Sequence, residues 1–285
     1  MSPRKLTVIA LLAIATSIPS IAHAEMSAQP KKIISLSPSA TEDLFAIGAG
    51  AQVIAVDDLS NYPKSAPMSK LSAYDPNVEA IAAYSPDLVI INSTATKEAD
   101  VAAQLQSLGI KVYTEISPNS IAEAYSEISD LGAATGHATE AATLISSMKK
   151  SIATIIKGAR KTVPVSFFHE VDNTNYSATS KTFVGHVYAD FNLTNIADSA
   201  KLADSSGYPQ LQNEYIIKAN PHIIFLSDAQ YGESSKTVAK RVGWSHISAV
   251  AKKHVIALPA DIPSRWGPRL VDFYRFVASS IAKIS

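Results

Sequence analysis

The sequence predicts an α/β protein with two similar lobes and one long helix between them. Three observations support this: strand-length apolar runs alternate with amphipathic stretches, a segment of the first half recurs in the second, and the middle of the chain carries helical patterns only. Strands that alternate with helices through short turns are typical of βαβ units, which form largely parallel sheets.

The first half, from residue 33 onward, contains four predicted strands and three predicted helices. Ser39 or Thr41 is a suitable N-cap for the first helix, and Gly109 is predicted to end the third. The strands are Ile33–Leu36, Val53–Val56, Leu88–Ile91 and Lys111–Thr114, and the helices are Thr41–Ile47, Val78–Tyr84 and Val101–Leu108.

The segment between residues 117 and 161 is predicted to be helical. Two helices, Ser120–Leu131 and Thr139–Ala159, are separated by a break at Gly132–Gly136. The second is about 30 Å long at roughly 1.5 Å per residue, which predicts a stiff connection rather than a loose hinge. The resulting division is 31–135 for the first lobe, 136–161 for the linking helix and 162–285 for the second lobe.

The second half repeats the plan of the first. Glu79 and Glu214 each stand seven residues before a proline, Pro86 or Pro221, that introduces an apolar strand. This match indicates a duplicated architecture. The second-half strands are Val163–Phe168, Ile223–Leu226 and Lys253–Leu258, and its helices are Phe183–Asp190, Glu214–Ala219 and Leu270–Ile281.

The composition excludes several classes of protein. Lys+Arg and Asp+Glu number 25 each, and this balance argues against a nucleic-acid partner, which requires a basic surface. With 18% charged and 47% hydrophobic residues, the chain is not intrinsically disordered. The absence of cysteine excludes disulfides, thiolate metal sites, cysteine nucleophiles and a lipid-modified cysteine. No histidine pair has metal-ligand spacing, and no glycine-rich phosphate loop is present.

The N-terminus has the three-part pattern of a secretory signal peptide. Arg4 and Lys5 precede the apolar run Leu6–Ala15, and small residues in Ala22-His23-Ala24 predict cleavage after Ala24. The run is shorter than the roughly 20 residues that a membrane-spanning helix needs. We therefore expect a soluble protein that is periplasmic or secreted; the alternative is a buried N-terminal helix.

Aromatic residues collect in the loops expected at the carboxyl ends of the strands, where open α/β sheets bind ligands. Such rings suit a large, flat or amphipathic ligand, although packing between lobes explains any single ring equally well. The loops carry Tyr62, Tyr74, Tyr176, Tyr231 and Trp266, and the loop before the Glu214 helix adds Tyr208.

An enzyme is the alternative from a different functional class. His169 directly follows a predicted strand, and a hydrolase or lyase would pair its imidazole with Glu170 or Asp172. Adjacent residues of a strand point to opposite faces, which disfavours joint action on one substrate. A binding protein without enzymatic activity is therefore the preferred interpretation.

Four motifs resemble the class III substrate-binding proteins of ABC importers, which are the periplasmic binding proteins for cobalamin, iron-siderophores and haem. The motifs are KIISLSPSATE at Lys32–Glu42, Ser-Asn-Tyr-Pro at Ser60–Pro63, Val78-Glu79 with Ser85–Ile90, and Gly267–Arg269. The first two are most similar to cobalamin-binding proteins. The resemblance covers nearly all of the chain after the signal peptide.

This resemblance implies two Rossmann-like lobes joined by one rigid α-helix, with the ligand held in the cleft between them. It also implies that Glu79 and Glu214 dock the protein on arginines of an ABC importer permease dimer. The expected protein is a monomer that delivers a cobalamin-like corrinoid or, alternatively, haem or a ferric siderophore. The metal belongs to that transported ligand, so no cofactor of the protein's own is expected.

The resemblance also assigns candidate residues to the cleft. Tyr208 stands where cobalamin binders tend to offer a tryptophan. His169 is a candidate axial contact to the metal of the ligand, the alternative being a histidine that is hydrogen-bonded at a strand end. The ligand-binding candidates are Ser37, Pro38, Asp58, Tyr62, Tyr74, His169, Glu170, Tyr176, Tyr208, Asp261, Arg265 and Trp266.

Overall fold

The first lobe is built on a five-stranded parallel sheet. The computed structural model describes residues 29–200 and 206–284, so the predicted signal peptide, residues 1–24, lies outside the described residues. The strand order β3-β2-β1-β4-β5 is that of a Rossmann-like sheet. The strands are β1 (Ile33–Leu36), β2 (Val53–Asp57), β3 (Met68–Leu71), β4 (Leu88–Asn92) and β5 (Lys111–Glu115).

The second lobe is built on a four-stranded parallel sheet with the order β7-β6-β8-β9. Its first strand pairs with β8 just as β1 pairs with β4, and β4 and β8 are the strands that follow the Glu79 and Glu214 helices. The predicted α/β fold with two related lobes is thereby confirmed. The strands are β6 (Val165–Glu170), β7 (Leu193–Asn195), β8 (Ile223–Leu226) and β9 (Val255–Ala257).

The described residues form ten α-helices. Most agree with the predicted helices to within a few residues. The helices are α1 (Pro38–Ala46), α2 (Val78–Ala82), α3 (Glu98–Ser107), α4 (Ile121–Thr135), α5 (Ala138–Ala159), α6 (Phe183–Asp190), α7 (Asn213–Ala219), α8 (Ser235–Val238), α9 (Ser248–Ala251) and α10 (Leu270–Ala282).

Local predictions were wrong at several points. The cap of α1 is Ser37, whose hydroxyl accepts a hydrogen bond from the Ala40 amide, because Pro38 is well suited to the first helical position. Strand β6 begins two residues later than predicted, since Val163 is exposed and the register with β8 reaches Glu170. The strands β3 and β7 were missed because they are short and lack an apolar run.

Helix α4 does not break at Gly132 but continues to Thr135. It ends at Gly136, which adopts a positive φ of 83° that favours glycine. The reason for Gly132 is close packing: a β-carbon at this position would lie 2.5 Å from the β-carbon of Ala141 in α5. Gly132 is therefore a helix-contact residue rather than a helix breaker.

Helix α5 is the connection between the lobes, and it packs into the core along its length. Its buried residues Ala141, Met148 and Ile152 lie on one stripe of the helix. They belong to a single apolar cluster that includes residues of both sheets as well as α4 and α10. This continuous packing gives a physical basis for a stiff connection, while the exact domain boundaries remain a prediction. None of the helices within residues 29–200 and 206–284 has the length and apolar character to cross a bilayer.

Candidate ligand-binding cleft

A cleft lies where the loops at the carboxyl ends of the two sheets face each other. It consists of two adjoining chambers of about 580 Å³ and about 480 Å³. Both volumes fall in the usual range for small-molecule sites. The residues common to both chambers are Ser117, Gln230, Tyr231, Ala260, Ser264 and Trp266.

The larger chamber is lined mainly by first-lobe residues with hydroxyl, amide or carboxylate groups. It also contains the exposed ring of Tyr74. This lining offers hydrogen-bonding groups to the polar rim of a ligand. The polar residues found in this chamber alone are Ser37, Ser39, Asp58, Asn61, Asn92, Thr94, Asp261 and Arg265.

The smaller chamber lies against the second lobe and is more apolar. Its own lining includes Val171, Phe183, Val184, Tyr208 and Pro263. The Phe183 ring meets the Trp266 ring edge-on, with ring centroids 6.3 Å apart. The cleft is therefore amphipathic, with a polar half beside an apolar half.

Residues 261–269, which belong to the second half of the chain, connect the two lobes beside the cleft through polar side-chain contacts. We call this segment the strap. Arg269 forms a bidentate ion pair with the buried carboxylate of Glu42 in α1. The Asn61 amide donates to Asp261 at 2.9 Å, and the Trp266 indole donates to Glu115 at 3.1 Å. The strap side chains thus contact the first lobe, although the chain order assigns them to the second.

Arg265 is the only Lys or Arg among the described residues that line the two chambers. Its guanidinium lies 3.8 Å from Glu42 and 3.8 Å from Asp261. Burial raises the pKa of Glu42, and the Arg269 and Arg265 guanidinium groups oppose that rise. The charge of the one cation in this lining is therefore balanced by two nearby carboxylates, although its buried Nε has no hydrogen-bond partner among the described residues.

Buried carboxyl groups lie on the first-lobe side of Trp266. Burial, together with the neighbouring Glu115, raises the pKa of Glu127 to about 12. Burial also raises the pKa of Asp43 well above its usual range, with Glu115 and Glu42 adding to the rise. Glu127 is therefore a neutral acid at pH 7. No group of three or more His, Cys, Asp or Glu side chains in the described ranges is arranged to hold a metal ion.

His169 lines the apolar chamber but is almost fully buried. Its Nδ1 lies 3.1 Å from the Tyr188 hydroxyl, and its Nε2 lies 3.2 Å from the Ser227 hydroxyl. Burial lowers the pKa of His169 to about 4, so the imidazole is neutral at pH 7. Both ring nitrogens have a protein partner. This is the arrangement expected of a histidine that is hydrogen-bonded at a strand end, which was the alternative to an axial metal contact.

Glu170, a predicted cleft residue, lines neither chamber. It is completely buried at the end of β6, where both carboxylate oxygens accept hydrogen bonds of 2.6 Å from Arg241. Burial raises the pKa of Glu170 to about 7, and Arg241 opposes that rise. Asp172 instead lies on a neighbouring turn, where it accepts from Thr174. The structure therefore pairs His169 with neither Glu170 nor Asp172, as the alternative hydrolase or lyase would require.

Two predicted aromatic contacts also lie outside both chambers. The ring of Tyr62 stacks on the guanidinium of Arg269, with the guanidinium carbon 4.6 Å from the ring centroid. Tyr176 forms an isolated bridge with Gln210. The candidates that do line the cleft are Ser37, Pro38, Asp58, Tyr74, His169, Tyr208, Asp261, Arg265 and Trp266.

The candidate set missed polar lining residues such as Asn92, Ser117 and Gln230. Asn92 is the last residue of β4, while Ser117 and Gln230 lie in the loops after β5 and β8, so the expected position of ligand loops was a usable signal. Residue type alone did not separate these side chains from ordinary loop residues.

Glu79 and Glu214 occupy equivalent places in the two lobes. Each is the second residue of its helix, α2 or α7, and each side chain is exposed. Each helix leads into the strand that pairs with the first strand of its lobe. The structure thus presents one free carboxylate per lobe at matching positions.

Comparisons with known proteins give a consistent result. A family model described as periplasmic binding protein matches residues 33–262. The chain is 35% identical over 260 residues to the uncharacterized ABC transporter substrate-binding lipoprotein YvrC of Bacillus subtilis, covering 89% of this chain and 80% of that protein. It is 26% identical over 257 residues to a cobalamin-binding protein of Halobacterium salinarum, covering 87% and 68%. The crystal structure of a possible iron-binding (periplasmic solute-binding) protein from Staphylococcus epidermidis superimposes with a TM-score of 0.78 at 27% identity, covering 89% of this chain and 99% of that one.

Proposed function

The chain belongs to the periplasmic binding protein family, and we propose that it captures a cobalamin-like corrinoid and delivers it to an ABC importer. The family consists of substrate-binding transport proteins rather than enzymes. The Halobacterium salinarum relative supports the corrinoid, because it is named a cobalamin-binding protein.

One observation carries the choice of a corrinoid over the other ligands of such proteins. The only Lys or Arg of the described cleft lining, Arg265, lies 3.8 Å from the carboxylates of Glu42 and Asp261, which balance its charge without hydrogen-bonding to it. Haem brings anionic propionates, and many ferric siderophores are anionic, so each favours an unpaired cation. A corrin ring is rimmed by neutral amides, which suit the hydroxyl and amide groups of the larger chamber.

Aromatic faces support the same assignment. Tyr74, Tyr231 and Trp266 provide rings against which a large flat ligand packs. His169 does not favour an axial bond to a ligand metal, because both of its ring nitrogens are engaged by the protein. Haem or a ferric siderophore remains the alternative within the same family, and the Staphylococcus epidermidis protein is described as a possible iron binder.

Tryptophan fluorescence tests the ligand directly. The chain has two tryptophans, and Trp244 is fully buried whereas Trp266 lines the cleft. In the unmodified protein, titration with cyanocobalamin should quench the fluorescence of Trp266 at lower concentration than titration with haemin or a ferric hydroxamate, over the signal of the buried Trp244. Free N-acetyltryptophanamide corrects for light absorbed by the coloured ligands. If haemin binds more tightly than cyanocobalamin, haem rather than a corrinoid is the ligand.

We further propose that Glu79 and Glu214 dock the protein on arginines of the permease. Exposed carboxylates at matching positions of two lobes suit a transporter built from two similar halves, because charge-assisted hydrogen bonds fix orientation. The alternative explanation is that each glutamate is a solvated acid near the start of a helix. Its interaction with the helix dipole would stabilise the fold by only about 0.3–1 kcal/mol.

We also propose that the working protein is a periplasmic monomer released by cleavage after Ala24. The signal pattern of residues 4–24 supports export. Intact mass of the exported protein should correspond to a chain that begins at Glu25. A mass that includes Met1 would contradict export by this route, and sedimentation would show whether the protein is a monomer.

A further inference from the structure

We propose that Arg241 is a positioning residue that holds a cleft loop in place, and that Tyr231 of this loop contacts the bound ligand. The loop comprises residues 228–233, between β8 and α8, and is called the Tyr231 loop below. The ligand contact rests on the proposed function, whereas the anchoring rests on contacts within the second lobe alone.

The Tyr231 loop reaches the cleft with its most exposed residue. Tyr231 lines both chambers, yet 84% of its surface is open to solvent. Inside the loop, the Tyr231 amide donates to the Asp228 carbonyl at 2.8 Å, and Gly232 makes the reversal with a φ of 106°. A large ring held by little more than a tight turn is suited to cover a ligand only if the base of the loop is fixed.

The base of the loop is fixed through charges. At its end, the Glu233 carboxylate accepts hydrogen bonds from Arg241 at 2.8 Å and from the Thr237 hydroxyl at 2.7 Å. The same guanidinium holds both oxygens of the buried Glu170 at 2.6 Å. Arg241 therefore ties the loop to the end of the central strand β6, and charge-assisted hydrogen bonds of this kind are strong and directional.

The Arg241 side chain packs against a buried tryptophan and does not line either chamber. Its guanidinium carbon lies 4.6 Å from the ring centroid of Trp244, which is fully buried. The indole of Trp244 in turn donates to the Asn213 side chain at the start of α7. A guanidinium held in this way does not reach the ligand itself. Because Glu170 stands between the lining residues His169 and Val171, the route through the Tyr231 loop is isolated by Glu233→Ala, which leaves the Arg241–Glu170 pair in place.

A spin label tests the anchoring without any ligand. Because the chain has no cysteine, Tyr231→Cys accepts a nitroxide at a single site. We expect a sharper electron paramagnetic resonance spectrum, and hence a more mobile loop, when Arg241→Gln or Glu233→Ala is added. Glu233→Ala keeps the Arg241–Glu170 pair, so it covers the case in which Arg241→Gln fails to fold. Asp272→Asn, which removes an exposed ion pair with Arg275 on α10, is the matched control.

Binding of cyanocobalamin to unlabelled protein tests the ligand contact. Tyr231→Ala should weaken binding about tenfold, and Glu233→Ala, which frees the same loop from Arg241, should weaken it through that loop. In the double variant the losses should therefore not add, because both changes remove one contact. Asp272→Asn should bind as the unmodified protein does.

The outcomes separate the two parts of the inference. Label spectra that do not respond to Arg241→Gln or Glu233→Ala would overturn the anchoring, and fully additive losses would overturn the action through Tyr231. If the unmodified protein does not bind cyanocobalamin, the proposed function fails. A spectral response to both variants would then still support the anchoring of the loop.

Discussion

The indole nitrogen of Trp266 donates a hydrogen bond of 3.1 Å to the carboxylate of Glu115, which lies 151 positions earlier in the chain. The other oxygen of Glu115 accepts from Asn92 at 2.9 Å. The buried carboxyl group of Glu127 on α4 interacts electrostatically with this carboxylate, and burial together with Glu115 raises the pKa of Glu127 to about 12, so that it stays protonated. One acid at the end of β5 thus joins the strap to the first sheet.

The protonated Glu127 gives the first prediction. Its pKa is about 12 in the folded protein against an ordinary 4.5, so above pH 4.5 unfolding releases a proton and stability falls as the pH rises. Glu127→Gln removes this release while keeping the shape of the side chain. In urea denaturation, the free energy of unfolding of Glu127→Gln should exceed that of the unmodified protein by a margin that grows from pH 5 to pH 8. This margin should grow by at most about 1.4 kcal/mol per pH unit.

The control for this prediction is Asp130→Asn, an exposed acid on the same helix. It should change the free energy of unfolding by the same small amount at every pH. A Glu127→Gln protein whose stability runs parallel to that of the unmodified protein between pH 5 and pH 8 would show that Glu127 is ionised.

The contact between α4 and α5 gives a prediction in which propensity and packing oppose each other. Helix propensity favours Gly132→Ala by about 1 kcal/mol. The added β-carbon, however, would lie 2.5 Å from that of Ala141, and overpacking costs about 1–3 kcal/mol. We expect a lower melting temperature, with partial recovery when Ala141→Gly is added.

Gly158→Ala is the matched control for this contact, because nothing lies within 4 Å of a β-carbon at Gly158 in α5. This substitution should leave stability unchanged or raise it by up to about 1 kcal/mol. If both substitutions raise the melting temperature, the close approach of the two helices is incorrect.

His169 predicts a loss of stability in acid. Burial holds its folded pKa at about 4, below the ordinary 6.5, so the unfolded chain takes up a proton that the folded protein excludes. The stability contributed by neutral His169 is present above pH 6.5 and is lost as the pH falls toward 4. His169→Gln should flatten the stability profile between pH 7 and pH 4.5, whereas the exposed His246→Gln should leave its shape unchanged.

Charge reversal at the proposed docking residues should separate binding from delivery. The variant with both Glu79→Lys and Glu214→Lys should bind ligand with unchanged affinity, because neither residue lines the cleft. In proteoliposomes that contain the cognate importer, its stimulation of ATP hydrolysis and ligand uptake should fall at least about tenfold. Glu140→Lys, an exposed acid on α5, is the control. Undiminished uptake by the double variant would remove the docking role.

Local patterns predicted the elements with buried, regular sequences. The apolar run of Ile223–Leu226 and the spacing of Phe183–Asp190 gave those elements at their observed bounds. Glu79 and Glu214 were predicted as a pair because the same helix, proline and strand pattern occurs twice. Burial and periodicity are properties of neighbouring residues, so a single sequence records them.

Only the tertiary structure decided which polar side chains face the cleft. Glu170 has the sequence position of a ligand residue, yet it pairs with Arg241, 71 positions away. Trp266 follows the second sheet in the chain but bonds to Glu115 of the first. Whether a charged group contacts a ligand or a protein partner depends on which distant residue the folded chain places within about 3 Å of it. The local periodicity of the sequence does not show such long-range pairs.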